Sequence, residues 1–276
     1  MYRGEIAVAR RWILAGLGGL LVLLLGLGMN PAQASRPIQP RLTVSGLPPM
    51  QTVEAPALQS LKAMQPSPTD FAVPEGALAQ AAQPRQVTAL ADPSNYGDRF
   101  ATDIEGRVLQ NDFIAVLHET VGSAQSALNL FRTHHPRDAD QVSYHTLIGR
   151  DGTVYYIVPP EKRAFGAGNS VFNGPNGPET VRTNPAFPPS VNNFAYHISL
   201  ETPGDGFNNR RSHSGYTQAQ YSSLAWLLAQ TTIPDNRITT HQAVDRSNTR
   251  MDPRSFNGQT MLSLLRQYPN RSGLSG

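Results

Sequence analysis

Two histidines and one aspartate are the residues of this chain whose types and positions best suit chemistry. His118 follows the apolar run from Phe113 to Leu117. His241 follows the short segment from Arg237 to Thr240, and Asp252 comes eleven residues later in a polar loop. Two neutral imidazoles and one carboxylate form a good ligand set for one zinc ion, and three protein ligands leave the fourth position open for water. Such an ion lowers the pKa of its water to about 7 and polarises a carbonyl group.

The spacing of these three residues alone is weak evidence for a metal. A histidine at a strand end is more often a surface or hydrogen-bonded residue than a ligand, and the segment His118–Gly122 lacks the second histidine of a helical zinc-protease motif. The 276-residue chain contains no cysteine, which excludes disulfides, Cys-ligated zinc, iron–sulfur clusters and thiol catalysis. Any metal must therefore be held by His, Asp or Glu.

The segments that would carry these residues alternate between strand and helix patterns. The continuous apolar run from Phe113 to Leu117 predicts a central strand that is buried on both faces. A helix is predicted next, with Ser123 as its N-cap, because apolar residues recur at helical spacing from Ala124 to Phe131. Strands are then predicted over Tyr144–Gly149 and Thr153–Val158, joined by a tight Asp-Gly turn.

The second half of the chain continues the same mixture. Asn193–Glu201 and Arg237–Thr240 are predicted strands. Thr217 with Gln220 forms a capping box that opens a second helix, and Met261–Leu265 lies on a closing helix. Hairpin pairing together with helical crossovers predicts an α/β (mixed) fold, with a central mixed β-sheet flanked by α-helices.

The N-terminal segment has the three-part pattern of a secretory signal. Arginines precede an apolar run from Ile13 to Met29, and Ala32 and Ala34 occupy the −3 and −1 positions of a cleavage site. We predict a signal peptide over residues 1–34. The alternative is a retained membrane anchor, although this run is marginal for a bilayer core of about 30 Å. Both interpretations place the rest of the chain outside the cytoplasm, in the periplasm or cell envelope, with transient membrane contact through this segment only.

The next segment, residues 35–97, is rich in Pro, Gln and Ala, and its prolines interrupt any helix that starts there. We predict a largely disordered linker. The folded catalytic domain is expected over residues 98–271, followed by a flexible tail over residues 272–276. The chain has 23 Lys and Arg against 20 Asp and Glu, a net charge of +3 that is too weak to indicate a nucleic-acid partner. A monomer is expected.

Several segments together carry a resemblance to a known family. They are Ile114–Thr120, Val142–Gly152, Arg163–Gly168, His197–Glu201 and His241–Pro253. In this order they resemble the zinc-dependent N-acetylmuramoyl-L-alanine amidases of the type 2 family, which are related to a phage amidase lysozyme and to peptidoglycan recognition proteins. The resemblance implies a mixed sheet flanked by helices and one zinc ion. It also implies hydrolysis of the amide bond between N-acetylmuramic acid and L-alanine in peptidoglycan or muropeptides.

The resemblance further implies a metal site and a base. The three zinc ligands of the family correspond here to His118, His241 and Asp252. The strand glutamate that acts on the water at the zinc corresponds to Glu201. Apart from the resemblance, Glu201 is an ordinary surface glutamate at a strand end.

Three further positions concern the transition state and the substrate groove. Tyr144 matches a position where some members carry a catalytic tyrosine, and a half-buried sheet aromatic is an equal alternative. Arg250 stands where the enzymes usually have a lysine. Because a guanidinium keeps its proton, we expect Arg250 to stabilise an oxyanion electrostatically. Gly166 replaces a histidine that is usual in this loop of the family, and we expect the change to alter the substrate groove.

Two other functions stay open at this point. A non-catalytic peptidoglycan-binding module could keep the same fold, and the arginine at position 250 leaves that alternative standing. A zinc peptidase that cuts the stem peptide, instead of the muramoyl amide, is the second alternative.

Overall fold

The computed structural model describes residues 83–271 and 273–274. The predicted signal peptide and the predicted linker up to residue 82 lie outside these residues. Among the helices of the described residues, none is long and apolar enough to cross a membrane.

A six-stranded sheet forms the centre of the described chain, and two small two-stranded sheets accompany it. The strands in chain order are β1 (Gln86–Thr88), β2 (Tyr96–Asp98), β3 (Ile114–Glu119), β4 (Thr146–Ile148), β5 (Val154–Tyr156), β6 (Lys162–Ala164), β7 (Phe172–Gly174), β8 (Gly177–Glu179), β9 (Ala195–Leu200) and β10 (Ile238–Thr240). The six-stranded sheet has the order β1-β5-β4-β9-β3-β10, in which β4 and β5 are antiparallel and the other neighbours are parallel. The predicted mixed sheet is confirmed.

The middle of this sheet is formed by β3 and β9, in which every residue is buried. These strands run parallel, with His118 opposite Ser199, and β10 lies parallel to β3 on its other side. Parallel strands end at the same edge of a sheet, so the residues at the ends of β3, β9 and β10 meet there. This edge carries His118, Glu201 and His241.

Helices cover both faces of the sheet. In chain order they are α1 (Ala124–Arg132), α2 (Gln218–Ala229), α3 (His241–Val244) and α4 (Gly258–Leu265). Leu147 of β4 belongs to the hydrophobic cluster of α1, whereas its neighbour Ile148 belongs to the cluster of α2 and α4. Because successive residues of a strand face opposite sides, these helices flank the sheet on its two faces.

Two predicted helix starts are confirmed. The Ser123 side chain accepts a hydrogen bond from the Ser126 amide at the start of α1. Both hydrogen bonds of the predicted capping box are present between Thr217 and Gln220 at the start of α2. Helix α2 buries residues beyond its predicted apolar face, such as Leu227, because α4 packs against it.

The predicted start of the folded unit at residue 98 is wrong. Strand β1 pairs in parallel with β5, and β2 pairs antiparallel with β6, so the chain from Gln86 onward belongs to the fold. Asn95, which lies between β1 and β2 in the chain, is buried, and its side-chain amide donates to the carbonyl oxygens of Phe131 and Thr133. A strand as short as β1 shows no apolar period, and its position depends on backbone pairing with a distant segment.

Candidate metal centre

Two imidazoles and one carboxylate converge at the edge where the parallel strands end. His118, His241 and Asp252 each offer one ligand atom, and these atoms all lie within 4.8 Å of one another. The Asp252 Oδ2 atom is 3.0 Å from Nδ1 of His241 and 3.3 Å from Nδ1 of His118. The structure therefore brings together the three residues that the sequence proposed as metal ligands.

Local structure explains this convergence. His118 is the last but one residue of β3, where it lies opposite Ser199 of β9, and His241 is the first residue of α3. The Thr240 side chain caps α3 by accepting from the Ala243 amide. The Gln242 amide donates to the Asp252 carbonyl oxygen at 2.9 Å, which docks the loop against the start of α3. The Asp252 carboxylate is thereby held beside the two imidazoles.

The charge states of this cluster suit a divalent cation. Burial lowers the pKa of His118 to about 4, so the ring is neutral near pH 7. Burial alone would raise the pKa of Asp252, but the hydrogen bond between its Oδ2 and Nδ1 of His241 opposes burial, and the pKa of Asp252 lies below its ordinary value. Although Nδ1 of His118 lies 3.3 Å from Asp252, it has no hydrogen-bond partner among the described residues. An unpaired buried imidazole nitrogen beside an ionised carboxylate is a donor set that fits zinc.

Tyr144 and Arg250 flank the cluster. The Tyr144 ring stacks on the His118 ring, with 4.3 Å between the centroids. Burial raises the pKa of Tyr144 above its ordinary value, so its phenol stays protonated and can donate. The Arg250 side chain is exposed, and its charge adds to the effect of burial in lowering the pKa of His118. Its positive charge therefore acts on the three candidate ligands from the solvent side.

Glu201 reaches the same edge but does not belong to the group of His118, His241 and Asp252, which we call the ligand cluster. Its Oε1 accepts from the Ala124 amide at 2.8 Å, and its Oε2 accepts from the Arg150 amide at 2.9 Å. Ala124 is the first residue of α1, so the carboxylate lies at the positive end of this helix. The contacts show that Glu201 anchors α1 and the turn before β5. Each carboxylate oxygen has a further lone pair, and the role as a base stays a prediction.

A buried group of polar residues that sequence reasoning missed lies beside the cluster. We call Glu119, Arg254, His213 and Tyr216 the charged cluster. Glu119 forms a buried ion pair with Arg254, and its Oε2 accepts from His213 Nε2 at 2.9 Å and from the Tyr216 hydroxyl at 3.0 Å. Glu119 directly follows the candidate ligand His118, and Arg254 lies two residues after the candidate ligand Asp252. This closeness in the chain is the sequence signal that could have indicated them.

A second missed residue is His197, in the middle of β9. Its side chain is fully buried, and its Nδ1 lies 2.9 Å from Nε2 of His118. Gly166 faces this ring, because a Cβ added at position 166 would lie 2.6 Å from His197 Nδ1. The space at Gly166 therefore serves the interior behind His118, and the expected effect on the substrate groove has no support in this contact.

A family model described as N-acetylmuramoyl-L-alanine amidase matches residues 112–255. The chain belongs to this family. The matched range includes the ligand cluster, Tyr144, Glu201 and Arg250. The chain is thus an N-acetylmuramoyl-L-alanine amidase, a hydrolase that acts on peptidoglycan.

The amidase also resembles solved structures. A selenomethionine derivative of AmpD is 25% identical, with 67% of this chain and 95% of that chain covered and a TM-score of 0.46. The endolysin LysCS from Clostridium intestinale is 19% identical, with 67% and 98% covered and a TM-score of 0.42. The Drosophila peptidoglycan recognition protein SD is 20% identical, with 69% and 98% covered and a TM-score of 0.38. Since these TM-scores are low, the family assignment rests on the match over residues 112–255. Among curated proteins, no match to the amidase is found.

Proposed function

We propose that the amidase is zinc-dependent and hydrolyses the bond between N-acetylmuramic acid and L-alanine in the cell wall, outside the cytoplasm. The observation that carries the proposal is the convergence of His118, His241 and Asp252 at one edge of the sheet, with their ligand atoms within 4.8 Å. When bound there, a single zinc ion supplies Lewis acidity and an activated water.

The protein's own residues divide the remaining work. Glu201 is proposed to take a proton from the attacking water and return it to the leaving amine. Arg250 stays charged and is exposed beside the cluster, which suits hydrogen bonding to the oxyanion of the tetrahedral intermediate. Tyr144, a neutral phenol stacked on His118, is a second donor for the same charge.

Location and partners follow from the N-terminal sequence. Residues 1–34 are proposed to direct export to the periplasm or cell envelope, and export favours polymeric wall as the substrate over released muropeptides. The proline-rich segment after them is proposed as a tether that lets the domain reach wall material. No nucleic-acid partner is proposed, and the amidase is expected to act as a monomer.

Digestion of purified sacculi, followed by mass spectrometry, tests this proposal. The zinc-loaded amidase should release intact stem peptides with free L-alanine amino termini, and removal of the metal with a chelator should stop the release until zinc is returned. Truncated stem peptides would instead identify a peptidase. Binding to sacculi without any release would identify a non-catalytic module, and full activity without bound metal would exclude the zinc dependence.

A further inference from the structure

His118 is supported from behind by two buried side chains in series. Its Nε2 lies 2.9 Å from Nδ1 of His197, and Nε2 of His197 lies 3.1 Å from Oδ1 of Asn192. The Asn192 oxygen also accepts from the Ala167 amide at 2.9 Å. We call His118, His197 and Asn192 the neutral relay. It connects a candidate metal ligand to the backbone of the loop after β6, at Ala167.

The hydrogen positions in the neutral relay follow from one backbone group. An amide N–H is only a donor, so the Asn192 atom that faces Ala167 is its oxygen. An amide oxygen is only an acceptor, so Nε2 of His197 must carry a hydrogen. No carboxylate hydrogen-bonds the His197 ring in the described chain, and a neutral ring with a hydrogen on Nε2 has its lone pair on Nδ1.

The same reasoning then determines which ring nitrogen of His118 carries a hydrogen. Because His197 Nδ1 accepts, Nε2 of His118 donates to it. The Nδ1 atom of His118 is left with a lone pair, and it is the atom that lies 3.3 Å from Asp252 and lacks a hydrogen-bond partner among the described residues. A zinc ligand needs this tautomer, because the metal takes the place of the hydrogen on Nδ1.

Gly166 provides the space that the relay requires. A Cβ at this position would lie 2.6 Å from Nδ1 and 2.7 Å from Cγ of His197, which is closer than side chains pack. The loop has little freedom to move away, because the Phe165 amide donates to the Ser143 hydroxyl and the Ala167 amide donates to Asn192. Any side chain at position 166 would therefore displace the His197 ring.

We propose that His197, oriented by Asn192 and accommodated by Gly166, is a positioning residue that holds His118 in the tautomer and orientation needed to bind the metal. This inference rests on the proposed zinc dependence. Groups that hydrogen-bond a metal-binding histidine typically change metal affinity by about 10- to 100-fold when they are removed.

The test measures zinc affinity of the full chain by competition with a chromophoric chelator. His197→Ala and Gly166→Ala should each weaken binding, by about 10- to 100-fold for the former. The double variant should bind no more weakly than His197→Ala, within about twofold, because the added methyl group then enters space that the imidazole has left. Ser199→Ala is the matched control: Ser199 lies opposite His118 on the same strand as His197, and its buried hydroxyl has no hydrogen-bond partner in the described chain.

A second measurement needs neither metal nor variants. Long-range ¹⁵N–¹H spectra of the zinc-free protein should show His118 and His197 both protonated on Nε2. A hydrogen on Nδ1 of His118, or wild-type zinc affinity in both single variants, overturns the positioning role. A wild-type protein that binds no zinc overturns the proposed function instead, so the two failures are distinguishable.

Discussion

The two consecutive residues at the end of β3 reach two different kinds of buried network. His118 belongs to the neutral relay on one face of the sheet, and Glu119 belongs to the charged cluster on the other, because successive strand residues face opposite sides. The relay is made of imidazoles and an amide. The cluster is centred on a carboxylate and a guanidinium.

The difference reflects what each network has to hold. A histidine ligand must present a lone pair, so the groups behind it are neutral and directional. The Asp252 loop pairs with no strand of the described residues. Arg254 holds this loop through the ion pair with Glu119 and through hydrogen bonds to the carbonyl oxygens of Gly206 and Asn208. One metal site is therefore supported by hydrogen-bond direction on one side and by buried charge on the other.

The largest expected effect comes from breaking the charged cluster. Arg254→Met leaves the buried Glu119 carboxylate without its cationic partner, and loss of one member of a buried ion pair typically costs about 3–5 kcal/mol. Denaturant unfolding of the zinc-free protein measures this loss in the free energy of unfolding. The double variant Arg254→Met/Glu119→Gln should recover part of the loss, and an equal or greater loss in the double variant would contradict the assignment.

Arg250 offers a matched arginine four positions away, with the opposite expectation. Its exposed side chain makes no hydrogen bond among the described residues, so Arg250→Ala should change the free energy of unfolding by no more than about 0.5 kcal/mol. The turnover number on sacculi should fall by about 100- to 1000-fold, as for loss of one oxyanion donor. Arg250→Lys should keep more activity than Arg250→Ala. If both variants match the parent, the proposed role in the transition state is wrong.

The neutral relay should affect the activity of the amidase only through its effect on zinc binding. The activity that His197→Ala loses at low zinc should therefore return at saturating zinc, whereas Arg254→Met should not be rescued in this way. Activity measured against free zinc concentration shows this as a shift of about 10- to 100-fold in the zinc needed for half-maximal rate. A lower maximal rate with an unshifted zinc dependence would contradict the comparison.

The smallest expected effect is on the pH dependence of the free energy of unfolding. Burial lowers the pKa of His118 to about 4 and holds the pKa of His197 well below its ordinary value. Between pH 6.5 and 4 the unfolded chain therefore binds protons that the folded chain does not, so stability is full above this window and is lost as the pH falls through it. Removal of His197 should reduce the slope of unfolding free energy against pH by up to about 1.4 kcal/mol per unit in the zinc-free protein. Urea unfolding at several pH values checks this, and an unchanged slope would show that His197 is not held neutral.

Local signals predicted much of the fold. The strand before His118, the Ser123 cap and the capping box at Thr217 depend on residues within one or two turns of each other, and the structure has them all. The three residues of the ligand cluster were also found, because each follows a recognisable strand or loop and the family pattern joins them.

The missed features depend on contacts between segments that are far apart in the chain. Glu119 and Arg254 are separated by 135 residues, and no periodicity connects them. The strand at Gln86 lies in the segment that the sequence predicts to be a linker, because its three residues show no pattern without their partner strand. The sequence predicts that Gly166 shapes the substrate groove, whereas the structure places it against the His197 ring on β9.

By itself, the sequence determined the types of residue that can bind a metal, the ends of the main helices and the buried central strand, since these depend on side-chain chemistry and on neighbours within a few positions. Only the tertiary structure decided which groups stand behind each ligand, that is, His197 behind His118 and Arg254 beside Glu119. The physical reason is that hydrogen-bond direction, desolvation and steric room at a buried atom are set by several segments at once, and none of them carries that information alone.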